Sequence, residues 1–171
     1  SIAIRNYLEN IVLIIDPMLN PDGRDRFANW ANGNRGHVAT IDLNDREHNQ
    51  PWPGGRTNHY LYDLNRDWLP ATQPESQGRL KLYYNWRPQV VVDFHEMGRD
   101  RTYFFQPGIP SRNNPNTPEN VFYLTNKLAT YHAEALNSIG VMYYSKERFD
   151  DFYYGKGSTF PDVTGAVGIL F

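Results

Sequence analysis

Cysteine is absent from this 171-residue chain. That excludes a disulfide framework and every thiolate metal site, while fitting reducing and oxidising compartments alike. Long apolar runs are missing too: none reaches the roughly 20 residues that a membrane-spanning helix requires. Charge of one sign is not in excess, with 17 Lys+Arg against 19 Asp+Glu and a formal net charge of -2. That gives no basic footprint for nucleic acid. Internal repeats, low-complexity tracts and a hinge-like linker are also lacking, so a single domain is expected. A chain of this length can bury a sizeable core without cross-links.

Aromatic residues, by contrast, are plentiful, with 12 Tyr, 9 Phe and 4 Trp, and most of them are expected in the core. The most telling stretch is Gln89-Val90-Val91-Val92-Asp93-Phe94-His95-Glu96-Met97-Gly98. Three consecutive β-branched valines predict a strand buried on both faces. His95 then falls where such a strand leaves the sheet, the end at which open α/β sheets bind ligands. An imidazole there can hold a metal or move a proton. Taken alone, it suits a turn histidine hydrogen-bonded to backbone equally well.

Other elements follow from spacing. Residues 2–9 read as the end of a helix, and residues 11–15 as a short buried strand. Asn20-Pro21-Asp22-Gly23 is a turn signal, followed by a short helix over residues 24–31. Residues 45–58, with Pro51, Pro53, Gly54 and Gly55, form a long irregular loop, a feature that tends to be functional or disordered. A strand is expected over residues 60–64 and a helix over 73–86, with Pro88 just beyond its end. Residues 102–105 and 141–144 are further strand candidates. The clearest helix spans residues 118–139, with Thr117 as N-cap and Pro118 at the first helical position. Its buried stripe comprises Val121, Leu124, Leu128, Tyr131, Ala135 and Ile139, with Gly140 as the left-handed stop. His132 on this helix is expected at the surface. Strands and helices alternate, which predicts an α/β fold.

Polar clusters collect at strand exits and in loops: Arg46 and Arg56 in the long loop, Asn65-Arg66, His95-Glu96, and Tyr153-Tyr154. A pocket combining these groups suits an anionic substrate, since guanidinium makes bidentate contacts with carboxylate. Taken alone, Asn65-Arg66-Asp67 favours a turn closed by a local Arg66–Asp67 ion pair.

The order of the motifs is more specific than any one of them. Asn20-Pro21-Asp22-Gly23, Asp63-Leu64-Asn65-Arg66-Asp67-Trp68, Val92-Asp93-Phe94-His95 and Phe152-Tyr153-Tyr154-Gly155-Lys156-Gly157-Ser158 together resemble the zinc carboxypeptidases of the carboxypeptidase A type. The closing Gly168-Ile169-Leu170-Phe171 resembles the strand leading to their catalytic glutamate.

The resemblance implies a mixed, mostly parallel twisted sheet flanked by helices, incomplete in this chain. It implies zinc, held by two histidines and a glutamate with one position left for water, and His95 as one of those histidines. It implies that Asn65 and Arg66 grip the terminal carboxylate of a peptide substrate. Tyr153, or Tyr154 as the alternative, would close over that substrate. An arginine upstream would stabilise the oxyanion; Arg46 and Arg56 both suit, with Arg46 slightly favoured. Ser158 to Asp162 would border the side-chain pocket, where Asp162 would favour a basic terminal residue. A secreted or periplasmic location is implied as well.

Departures from the family pattern matter as much. No His-x-x-Glu precedes Asn20, and His48 has no Glu three residues on. Glu96 and Met97 differ from the pancreatic-type pattern and point to a divergent, bacterial-type subfamily. The chain opens at Ser1 and stops in an apolar run, so it is expected to be an internal piece of a longer protein, one partial catalytic domain over residues 1–171 cut at both ends. The expectation is an active metallocarboxypeptidase parent, with the 171 residues alone inactive and without tight zinc. The alternatives are a non-catalytic relative that binds peptides or glycans, and a zinc deacylase of N-acyl amino acids.

Overall fold

A computed structural model describes residues 6, 8–98 and 101–171. The helix end expected over residues 2–9 lies largely outside them. Two compact units, Ser1–Leu61 and Tyr62–Phe171, are described in turn.

The first unit is organised by helix α1 (Pro21–Asn34). What reads as a turn in the sequence is the start of this helix. The Asn20 side chain caps the Gly23 N–H at 3.0 Å, Pro21 takes the first helical position and Asp22 lies in the first turn, each a favourable placement. The helix therefore begins three residues before the expected one.

Beyond it, the chain is irregular apart from a 3₁₀ turn, Arg46–His48, capped by Asp45. Glu47 on that turn accepts the N–H groups of Gly36 and Thr40, both at 3.0 Å. These bonds hold its carboxyl below the usual range.

The α1 side chains then grip the loop that follows. Arg26 donates to the carbonyls of Gly54 (2.6 Å), Thr57 (3.1 Å) and Asn58 (3.1 Å). Asn20 Nδ2 donates to those of Gly55 (3.4 Å) and Arg56 (3.2 Å). The carboxylate of Asp22 accepts the His59 N–H at 3.1 Å.

Residues 11–15 form no strand; their side chains are 44–74% exposed. A strand needs a neighbour to satisfy its backbone, and none of the described residues pairs with this run.

The strand expected over residues 60–64 is replaced by turns and, in the second unit, by a 3₁₀ turn, Leu64–Arg66. Leu61 has φ +65, outside the strand region, and the Asp63 carboxylate caps the Asn65 N–H at 2.9 Å. The Asp67 carboxylate does not pair with Arg66. It accepts Thr72 N and Oγ1 (3.0 and 2.7 Å) and Gln73 N (2.9 Å), launching α2 (Pro74–Trp86).

Strand β1 (Val90–Asp93) follows, then β2 (Tyr103–Phe104), α3 (Glu119–Ser138), β3 (Tyr143–Tyr144) and β4 (Val167–Leu170). β1 pairs with β4 and β2 with β3, both in parallel. Parallel neighbours require a crossover, and α3 supplies it between β2 and β3. The fold is thus mixed α/β with short parallel strands in two pairs. The valine run is not buried on both faces: Val90 and Val92 are 44% and 42% exposed, while Asp93 is buried. Among the described residues, nothing packs over the face carrying Val90 and Val92 closely enough to bury them.

Trp68, Tyr83 and Phe160 form the core cluster, with Leu80 and Val91 packed against it. Arg79 lies over the Trp68 ring at 4.7 Å.

Pro118, not Thr117, occupies the N-cap position of α3. Its other end closes as a Schellman motif: Val141 N–H bonds Leu136 O (3.0 Å), Gly140 N–H bonds Asn137 O (3.1 Å), and Gly140 has φ +68. The inward face is rotated from the expected stripe. Val121 and Thr125 are buried, whereas Leu124, Tyr131 and Ile139 are exposed. His132 is half-buried against Phe171 (4.6 Å between ring centres) and Phe105 (5.5 Å), and burial lowers its pKa. It is an aromatic-core histidine rather than a surface one.

Candidate active-site residues

The parallel ladder that joins β1 to β4 continues one step past both strands. Phe171 N–H bonds Asp93 O at 3.2 Å, and His95 N–H bonds Phe171 O at 2.7 Å. His95 is thereby fixed at the carboxyl end of β1. Asp93 lies two residues earlier, so both side chains project to the same side.

His95 Nε2 sits 2.9 Å from Asp93 Oδ2. Asn65 Nδ2 approaches both groups, 2.8 Å from Nε2 and 3.2 Å from Asp93 Oδ2. Nε2 cannot donate to the carboxylate and accept from the amide at once. A donor facing an ionised acceptor makes the stronger bond, which assigns the proton to Nε2, directed at Asp93, and leaves the lone pair on Nδ1.

The amide of Asn65 is oriented from its other end. Gly157 N–H donates to Asn65 Oδ1 at 2.8 Å. A Cβ at Gly157 would stand 2.9 Å from Asp93 Oδ2 and 3.1 Å from Trp68 Nε1, so glycine is required for this close approach. Tyr153 joins the group through its hydroxyl, which donates to Arg66 O at 2.9 Å. Arg66 itself is exposed, and its Nη1 donates to Asn65 O at 2.8 Å. Tyr154 points elsewhere, its hydroxyl 3.4 Å from Thr117 Oγ1.

Of the residues singled out in the sequence, His95, Asn65, Arg66 and Tyr153 therefore come together in the second unit. Arg46 and Arg56 belong to the first: Arg46 on the exposed 3₁₀ turn, Arg56 in the loop gripped by α1. Asn65 spends its amide on Asp93 and Gly157, with His95 beside it, rather than presenting it to solvent. Sequence reasoning did not give Asp93 and Gly157 their roles. The signal for Asp93 was present: a carboxylate two residues before a strand-end histidine shares its side of the strand. Gly157 carries no such signal, because its partner is 92 residues away.

A second group of polar side chains in the same unit is buried against β4. Asp151 accepts from Gln106 Nε2 at 2.5 Å, and Gln106 Oε1 accepts Leu170 N–H of β4 at 2.6 Å. Asp162 Oδ1 accepts the Gly168 N–H, also of β4, at 2.7 Å. Burial raises Asp151 to about 6, against the opposing pull of Lys156. It raises Asp162 to about 7. The buried Lys156 ammonium donates to Asp150 O and lies 3.5 Å from its carboxylate, while burial lowers its pKa. Asp162 thus supports β4, with its side chain buried.

A family model for zinc carboxypeptidase matches residues 1–161; the chain belongs to that family. Neither the curated proteins nor the solved structures yielded a match. The short parallel strands and helices are consistent with part of a zinc carboxypeptidase-like fold.

The family implies zinc in its complete members, and the donor set here can be tested against it. Among the described residues, no three His, Cys, Asp or Glu side chains come together to hold a metal. His95 offers one imidazole, and Asp93 is engaged with its other ring nitrogen. That suits one ligand with its orienting carboxylate, but not the three protein ligands of a catalytic zinc site. The described residues do not hold zinc by themselves.

Proposed function

We propose that this chain carries the substrate-facing part of a metallocarboxypeptidase that removes the C-terminal residue of a peptide. The observation that carries this reading is the convergence of Asn65, Arg66, Asp93, His95 and Tyr153 at the carboxyl end of β1, in a chain of this family. Arg66 is exposed beside the cluster and suits a bidentate grip on a free terminal carboxylate. Tyr153, one rotation away from its bond to Arg66 O, closes over the bound peptide. Asn65 orients the Asp93–His95 pair. An arginine upstream of Asn65 would stabilise the oxyanion, with Arg46 and Arg56 the two candidates. Zinc, when bound in members of this family, supplies a Lewis acid and an activated water.

The test compares two peptides of one sequence, one with a free and one with an amidated C-terminus, using the full-length protein with zinc and with chelator. The free peptide is cleaved at its last bond, chelator abolishes cleavage, and Arg66→Ala raises KM. Equal cleavage of both peptides, or hydrolysis of N-acyl amino acids in their place, would sink the proposal.

A further inference from the structure

Tyr153 lies in a loop of the second unit whose backbone is tied at most of its carbonyls. The Lys156 ammonium donates back to Asp150 O, lies 3.5 Å from Asp150 Oδ2 and stands over the Phe149 ring at 4.8 Å. It thereby closes residues 150–156 into a ring. Within that ring, Asn114 Nδ2 donates to Phe152 O at 2.7 Å, Thr159 Oγ1 to Tyr153 O at 2.6 Å, and the Trp68 N–H to Gly155 O at 3.1 Å. The Phe160 N–H donates to Lys156 O at 2.8 Å.

The phenol has a seat of its own. Its ring lies against Gly155, where a Cβ would come within 2.2 Å of Tyr153 Cε1. Its hydroxyl reaches Arg66 O at 2.9 Å.

Two of the anchors are buried at a cost: Thr159 is 0% exposed and Lys156 is 6% exposed. A valine and a methionine would fill these positions without desolvating a hydroxyl and an ammonium. The side chain between the anchors explains the expense. Tyr153 is 38% exposed, and an aromatic side chain that open to water, on a free loop, is not confined to one rotamer. Fixing its backbone in advance removes the cost of ordering it when a ligand binds.

We propose that Lys156 and Thr159 are positioning residues for Tyr153: the ammonium sets the loop and the hydroxyl sets the Tyr153 carbonyl, so that the phenol waits beside Arg66. That role rests on the reading of Tyr153 as the residue that closes over the peptide.

Thr159→Val keeps the shape of the side chain and removes the hydroxyl, whereas Thr159→Ser keeps the hydroxyl and removes the methyl. Lys156→Met keeps the length of the side chain and removes the charge. Nitration by tetranitromethane with peptide mapping reads access to each tyrosine ring in the 171-residue chain. In wild type, Tyr153 should react more slowly than the exposed Tyr123 and Tyr131 of α3. In Thr159→Val and Lys156→Met it should react as fast as they do. The ¹⁵N order parameters of residues 152–155 should fall in both from near 0.85 to below about 0.6, with α3 still rigid. Thr159→Ser should match wild type in both measurements.

Unchanged nitration of Tyr153 in Thr159→Val, or in a folded Lys156→Met, overturns the proposal. So does a Thr159→Ser chain in which Tyr153 is freed as fully as in Thr159→Val, because the anchor then only fills space. If Lys156→Met does not fold, the Thr159 pair decides alone. Neither peptide nor metal enters these measurements, so a failure here leaves the cleavage reading to its own assay, and an uncleaved peptide leaves the anchored loop standing.

Discussion

Asp162 makes the stability of the second unit depend on pH. Its carboxyl is buried, 7% exposed, with Asp151 close enough to raise its pKa further and one hydrogen bond from Gly168 to offset the burial. The remaining charged groups around the pair are Lys156 and Asp150, with Arg66 acting on Lys156 and the Tyr83 phenol near Asp162. The folded pKa of about 7 lies above the ordinary value of 3.8. The folded state therefore binds the proton more tightly than the unfolded one, and stability falls as pH rises between those two values.

At about 1.4 kcal/mol per pH unit, the loss across that window is about 4 kcal/mol. Asp162→Asn cannot ionise, yet it keeps an acceptor for the Gly168 N–H. Near pH 4, variant and wild type should denature together; by pH 9 the variant should be the more stable by about 4 kcal/mol. At roughly 2–4 °C per kcal/mol, that is a gain of about 8–16 °C in melting temperature. Thermal melts at each pH unit from 4 to 9 measure it. A difference between the two proteins that does not grow with pH refutes the reasoning.

Three further outcomes follow from named contacts. Asn65→Leu strands the Gly157 N–H and removes a donor from Asp93; chemical denaturation should show a loss of about 1–3 kcal/mol. Gly140→Ala forces a side chain into φ +68 and should cost about 1 kcal/mol in the same assay, although nothing stands within 4 Å of the new methyl. Tyr83→Phe breaks the 2.6 Å bond between the Tyr83 hydroxyl and Thr164 Oγ1. It should lower stability by about 1 kcal/mol and leave the near-ultraviolet signal of the Trp68 cluster in place.

The parts of this fold written in local chemistry were legible in the sequence. The helix over residues 73–86 is found as Pro74–Trp86, and the valine run is β1. Gly140 closes α3 as its missing Cβ suggests. Misreadings came where a local signal has two meanings. Asn20-Pro21-Asp22 serves a turn and a helix start equally, and only the periodicity after it decides between them. Residues 60–64 are rich in aromatic and apolar side chains like a strand, but the left-handed Leu61 and the Asp63 cap break the run. The stripe of α3 was misjudged by a rotation, because Phe105 and Phe171 draw in His132 and turn Tyr131 outward. At the site, residue types and order pointed to His95, Asn65, Arg66 and Tyr153. The bond between Gly157 and Asn65 and that between Asn20 and the Arg56 carbonyl join residues 92 and 36 positions apart, so no local pattern records them.

The unpaired run Ile11-Val12-Leu13-Ile14-Ile15 bears on how the chain behaves in solution at high concentration. Five consecutive exposed apolar residues, with no strand partner among the described residues, offer a template to which another extended chain can add. Asp16 and Pro17 follow at once, and a charge and a proline are what limit such growth. Self-association through this run should therefore be concentration-dependent. Replacing Leu13 with lysine would suppress it at no cost to the core, since Leu13 is 64% exposed.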